Sequence, residues 1–224
     1  GSKKKLSLEL GGKSPFIVFE EADLDSVVEG IVDAIWFNQG QVCCAGSRLL
    51  VQENIAEKLY AKVKSRMETL RMGNALDKSI DIGAIVAPVQ LKTIEELVAT
   101  GVKEGGEMFQ PSWECPTDGC YYPPTLFTDV SPSATIAQEE IFGPVLSVLK
   151  VASYDEAIEV ANNVEYGLSS SIYTKDVSVA FRAMHDIEAG ITYVNGPTIG
   201  AEAHMPFGGV KATGNGHREG GWEV

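Results

Sequence analysis

The chain has 224 residues, 44% of them hydrophobic, and a formal net charge of −13. That composition supports a packed core and excludes a disordered chain. The acidic balance excludes nucleic acid and anionic membrane surfaces as partners, and no apolar run approaches the roughly 20 residues of a membrane span.

No signal peptide opens the sequence. Gly1-Ser2 reads as a cloning scar and Lys3-Lys4-Lys5 as a solvated lead-in. Ser14-Pro15 leads into a short buried strand at Phe16 to Phe19. Leu24, Val27, Val28, Ile31 and Ile35 then fall at helical spacing, with Asp23 and Asp25 suited to the first turn, and the helix ends near Phe37-Asn38. A strand follows at Arg48 to Val51. A second helix carries Ile55, Leu59, Val63 and Met67 on one face, and a third, after Pro88, carries Leu91, Ile94, Leu97 and Val98. Strands are expected at Thr125 to Phe127, Pro144 to Val151, Leu168 to Tyr173 and Ile191 to Val194. Helices are expected at Tyr154 to Asn162 and Val177 to Asp186, and the glycine-rich tail from Pro206 reads as a loop. The alternation predicts one α/β domain, a mostly parallel open sheet with flanking helices. Sites in such sheets sit beyond the carboxyl ends of the strands.

The four cysteines are Cys43, Cys44, Cys115 and Cys120. They lack the C-x2-C spacing of a zinc site and are too few for a disulfide scaffold in so long a chain, so a reduced, cytoplasmic setting is the simplest reading. Cys115 and Cys120 lie in a polar stretch and read as surface-loop residues. Cys43 and Cys44 stand side by side in Gly40-Gln41-Val42-Cys43-Cys44-Ala45-Gly46-Ser47-Arg48. A buried small residue, an oxidisable pair and a nucleophile all fit that turn taken alone. A disulfide between neighbours is strained, and a nucleophile needs thiolate character and nearby backbone donors.

Two carboxylate segments add to the picture. Glu9-Leu10-Gly11-Gly12-Lys13 places a carboxylate at an expected strand end before a glycine pair, and apolar neighbours such as Leu8 and Leu10 favour the protonated form that a general base needs to reach. Glu9 could instead cap the backbone or pair with Lys13. Glu140-Ile141-Phe142-Gly143-Pro144 places a second carboxylate beside an aromatic and a turn.

On Leu8 to Lys13, Phe37 to Cys43, Glu140 to Pro144, Tyr166-Gly167-Leu168-Ser169 and Pro206 to Lys211, in that order, the sequence resembles the NAD(P)-dependent aldehyde dehydrogenase superfamily. The resemblance implies that Cys43 is the thiol that attacks an aldehyde, giving a thiohemiacetal and then a thioester, with Glu9 the base that activates the hydrolytic water. The Cys43 backbone N–H would supply half of an oxyanion hole. The resemblance makes Glu140 a ligand of the nicotinamide ribose of NAD or NADP, with Phe142 beside it and Gly11 at the same contact. It places Asn195, Phe207 and Cys44 along the substrate passage. Glu202 and His204, in the loop between Asn195 and Phe207, hint at a polar aldehyde. His185 reads as structural, and His217 stands where the family pattern has none.

The resemblance covers the C-terminal half of full-length members, which are homo-oligomers. The coenzyme domain that precedes that half, and its oxyanion-hole asparagine, are not in this sequence. Residues 3–224 are therefore expected to be the catalytic domain alone, binding the cofactor weakly and keeping thiol acylation and ester hydrolysis. Two other readings compete: a non-catalytic assembly module on the same fold, and a cysteine hydrolase using His204 or His217.

Overall fold

The computed structural model describes residues 3, 4, 6–216 and 219–221. A seven-stranded sheet forms its middle layer. Its strands are β1 (Pro15–Val18), β2 (Arg48–Gln52), β3 (Glu107–Phe109), β4 (Thr125–Thr128), β5 (Val145–Val151), β7 (Ser169–Tyr173) and β8 (Ile191–Val194), in the order β3-β4-β5-β2-β1-β7-β8. Every pairing is parallel except β3 with β4. A separate two-stranded ribbon pairs β6 (Tyr166–Gly167) with β9 (Val210–Lys211).

Alternation along the strands builds two cores. Phe16, Val18, Leu49, Val51 and Val148 face α1 (Leu24–Ile31) and α2 (Glu53–Met67). Ile17, Leu50, Phe127, Leu149 and Ile172 face α3 (Pro88–Lys103), α4 (Thr135–Gln138), α5 (Tyr154–Asn162) and α6 (Val177–Asp186). The chain crosses from β1 to β2 over one face and from β5 to β7 to β8, in the opposite direction, over the other. One right-handed crossover rule accounts for both. Among the described residues no helix is long and apolar enough to cross a membrane.

The structure bears out the α/β architecture and departs from the sequence reading in four places. The first helix does not run unbroken to Phe37. It widens into a π-helical turn at Val32–Trp36, within which the Ala34 carbonyl accepts from the Gly46 N–H (2.9 Å). The edge strand β3 and the short α4 carry too few residues for a visible period. The tail is not all loop. Besides β9 it makes bridges from Phe207 to Glu219 and from Gly214 to Glu9, so Glu9 sits on an isolated bridge and not at a strand end. Cys115 and Cys120 are half-buried, with the Cys115 sulfur 3.5 Å from that of Met72.

Candidate active site

The segments singled out from the sequence enter the sheet from one side. Lys13-Ser14 precedes β1, the cysteine turn precedes β2, Glu140–Gly143 precedes β5, and Tyr166–Leu168 precedes β7. Parallel register (Pro15 with Arg48, Arg48 with Ser147) places them all at the amino ends of the strands. The expectation of a site at the carboxyl ends is therefore corrected. The glycine-rich turns of this chain come before its strands.

The turn leading to Cys43 is strained and well held. Asn38, Gln39 and Gly40 are all left-handed, with φ of 49°, 56° and 69°. Such residues persist only where their surroundings fix them. The Gln39 side chain accepts from the Gly83 N–H (2.8 Å) and donates to the Ala84 carbonyl, and Gln41 Oε1 accepts from the Val86 N–H (3.0 Å). Gly40 lies so close to Gly143 that a Cβ there would meet its carbonyl oxygen at 2.1 Å. The cysteine turn and the Glu140 segment are thus packed backbone to backbone.

Cys43 is half-buried and Cys44 buried, and all four cysteines are free thiols. Hydrogen bonding from the Cys44 thiol, and from the backbone at Cys44 and Cys43, brings the Cys43 thiol down to about 7, against burial and the nearby Glu9 charge, which push it up. Donating to Cys43, and burial, push Cys44 the other way. The pair is therefore asymmetric: Cys43 carries the thiolate character and Cys44 supplies a donor.

Glu9 lies within reach of Cys43 in charge, and its Oε2 is buried. The flanking Leu8 and Leu10 are exposed, so the apolar shell expected from sequence does not surround the carboxylate. What sets Glu9 in place is the tail. Leu10 N–H donates to the Thr213 carbonyl (2.7 Å), and Gly214 packs against the Leu8 carbonyl.

The glycine pair has two separate jobs. A Cβ on Gly12 would meet the Cys43 carbonyl oxygen at 2.0 Å, and one on Gly11 would meet Tyr166 Cε1 at 2.7 Å and Glu140 Oε2 at 2.8 Å. Gly12 N–H also donates to Glu140 Oε1 (3.0 Å). Burial pushes the Glu140 carboxyl up, while the Gly12 N–H and Lys13 pull it down. Phe142, half-buried with φ of 53°, is held by Gln90, which donates to its carbonyl (3.1 Å).

Phe207 lines a cavity of about 150 Å³ with Ile191, Thr192, Tyr193, Glu202 and Met205. Tyr193 lines the same cavity, and burial and then the Cys44 charge push its phenol up. Asn195 lies elsewhere. It follows β8 at the carboxyl edge, and its side chain accepts from the Thr174 N–H (3.0 Å) and donates to the Thr174 carbonyl (2.9 Å). Its amide is therefore engaged by the backbone of Thr174. Its left-handed φ of 53° turns the chain back, so that the Ser169 hydroxyl bonds the Thr198 carbonyl and Thr198 packs beside Gly46. His185 pairs with Asp186 on the surface, and His204 is exposed, with no hydrogen bond to Cys43 among the described residues. His217 lies outside the described residues. Among the described residues no group of three His, Cys, Asp or Glu could hold a metal ion.

The sequence reading missed two devices. Gln39 and Gln41, which the sequence reading gave no role of their own, anchor the loop at residues 83–86. Arg48 is 1% exposed and donates to the carbonyls of Lys13 (2.9 Å), Val160 (2.8 Å) and Ala161 (2.8 Å). The last two belong to the final turn of α5, whose carbonyls lack helical partners.

The family model described as "Aldehyde dehydrogenase family" matches residues 1–224. The chain belongs to that family. It is 40% identical over 221 residues to an aldehyde dehydrogenase of Emericella nidulans, covering 99% of this chain and 44% of that one. The crystal structure of an NAD-dependent aldehyde dehydrogenase from Sinorhizobium meliloti superimposes with a TM-score of 0.93 at 38% identity, over 98% of this chain and 44% of that one. Betaine aldehyde dehydrogenase from Staphylococcus aureus, solved with NAD+, gives 0.93 at 32% identity, over 97% and 44%. The chain thus spans rather less than half the length of the aldehyde dehydrogenases it matches.

Proposed function

We propose that this chain carries the thiol chemistry of NAD(P)-linked aldehyde oxidation, with Cys43 as nucleophile and Glu9 as general base. The observation that supports this most is their meeting at one sheet edge, with a thiol eased toward thiolate by three donors and a carboxylate within charge range. The Cys43 thiolate adds to the aldehyde carbon, forming a C–S bond and leaving the carbonyl oxygen negative. A bound NAD or NADP supplies the hydride acceptor for that carbon. Glu9 then serves deacylation: it takes a proton from the water that attacks the acyl group on Cys43, and the thiolate leaves as the acid is released.

The residues present suit one end of such a cofactor. Glu140, held by Gly12 with its other oxygen against Gly11, offers a carboxylate acceptor for ribose hydroxyls, with Phe142 on the same segment. Phe207 and the cavity it lines with Tyr193 would receive the substrate's side chain. Asn195 acts in this reading as a chain-reversing brace. The test is to acylate the 224-residue chain with p-nitrophenyl acetate, quench, and map the acyl group by peptide mass. Acyl on Cys43, and not on Cys44, Cys115 or Cys120, supports the assignment. Acyl spread over exposed lysines with none on Cys43 refutes it.

A further inference from the structure

Lys13 is the anomaly left over by this account. It is 1% exposed, and among the described residues its Nζ has no hydrogen-bond partner. A buried ammonium in that condition is costly, and an apolar side chain of the same size would pack more cheaply. Its neighbour Ser14 also has a buried Oγ without a partner among the described residues. A cavity of about 10 Å³ lies against both, with Tyr166, Ser169 and Glu188 also lining it. That is the lower limit for one water, so a single water can serve Lys13 and Ser14 at most.

The charges around Lys13 show what it faces. Burial and then Arg48 pull its ammonium down to about 7, while Glu140 and then Glu139 support the charged form. Tyr166 and Glu188 line the cavity, and Glu188 is already paired with Lys211 at 2.6 Å. Arg48, the other buried cation, has its guanidinium on three backbone carbonyls. Lys13 is the cation that acts on Glu140, and Glu140 sits on the residue next to it, through the Gly12 N–H.

We propose that Lys13 is a positioning residue, whose buried Nζ keeps the Glu140 carboxylate ionised and seated on Gly11-Gly12 as an acceptor for ribose hydroxyls. The cofactor part of this statement rests on the assignment of Glu140 above. An ionised carboxylate offers only acceptors, whereas its protonated form turns one oxygen into a donor. Glu140 is half-buried, so burial alone favours the protonated form, and the Gly12 N–H and Lys13 oppose it. Glu140 in turn supports the charge on Lys13, because such coupling is reciprocal.

Reciprocity gives a test independent of activity. The 224-residue chain is labelled with ¹³C at lysine Cε and glutamate Cδ, and both signals are followed against pH. Assignment uses Lys13→Met, Lys13→Arg and the near-isosteric Glu140→Gln. The expected result is a downward shift of the Lys13 midpoint in Glu140→Gln, an upward shift of the Glu140 midpoint in Lys13→Met, and little change of it in Lys13→Arg. An unmoved Lys13 midpoint in folded Glu140→Gln overturns the proposal, and this arm needs no substitution in the core. Failure of the Glu140 assignment to the cofactor leaves these midpoints where they are, because they are read without cofactor.

Discussion

Gly12→Ala is the substitution that the site geometry judges most sharply. A Cβ at Gly12 falls 2.0 Å from the Cys43 carbonyl oxygen, and ordinary contact begins at 3.4 Å, so the two backbones must part by 1.4 Å. Neither can yield freely. Gly12 N–H is tied to Glu140, and Cys43 follows a left-handed turn pinned by Gln39 and Gln41. Overpacking of this kind costs about 1–3 kcal/mol of stability. The larger effect falls on reaction geometry, where a displacement of about 1 Å costs on the order of 10²-fold in rate. Stopped-flow measurement of p-nitrophenolate release reads the acylation rate, and urea melts read stability. The expected outcome is a loss of roughly 10²-fold in acylation with the fold retained. An alanine variant that acylates within a few-fold of the parent, at equal stability, would show that Gly12 does not position Cys43.

Iodoacetamide alkylation of Cys43 is expected to rise with pH through a midpoint below that of an ordinary thiol, since a lowered midpoint means more thiolate at neutral pH. Cys44→Ala removes the first of the donors, so the midpoint moves up and the rate at pH 7 falls; an unmoved midpoint would assign the shift to the backbone N–H groups alone. Arg48→Met leaves three buried carbonyls unserved and should cost about 3 kcal/mol or more by urea denaturation. Asn195→Ala loses both bonds to Thr174 and should cost about 2 kcal/mol while leaving acylation of Cys43 unchanged. A selective loss of acylation there would restore Asn195 to the substrate passage.

Much of the fold was legible because its strands are short apolar runs between turn residues, and its longer helices carry clear periods. Val177 to Asp186 and Tyr154 to Asn162 match the structure as read. The widening at Val32–Trp36 was not legible: the apolar period continues through it to Ile35, and the partner of its Ala34 carbonyl, Gly46, lies across the chain. The tail was misread for a similar reason. Gly209 and Gly214 look like loop residues, yet each is a glycine because another backbone passes against it. At the site, the glycine pair, Cys43 and Glu140 carried the sequence signal. The sheet edge they share did not, since local sequence does not say which end of a strand a preceding turn will meet. Nor could the hydrogen bonds of Asn195 be read, because its partner Thr174 becomes a neighbour only when β7 and β8 pair.

The central claim is a division of labour between Cys43 and Glu9. Pre-steady-state hydrolysis of p-nitrophenyl acetate by the parent, Cys43→Ala and Glu9→Gln separates the two steps. The account expects a burst followed by steady turnover in the parent, neither in Cys43→Ala, and a retained burst with turnover lost in Glu9→Gln. Equal bursts in the parent and Cys43→Ala would contradict it.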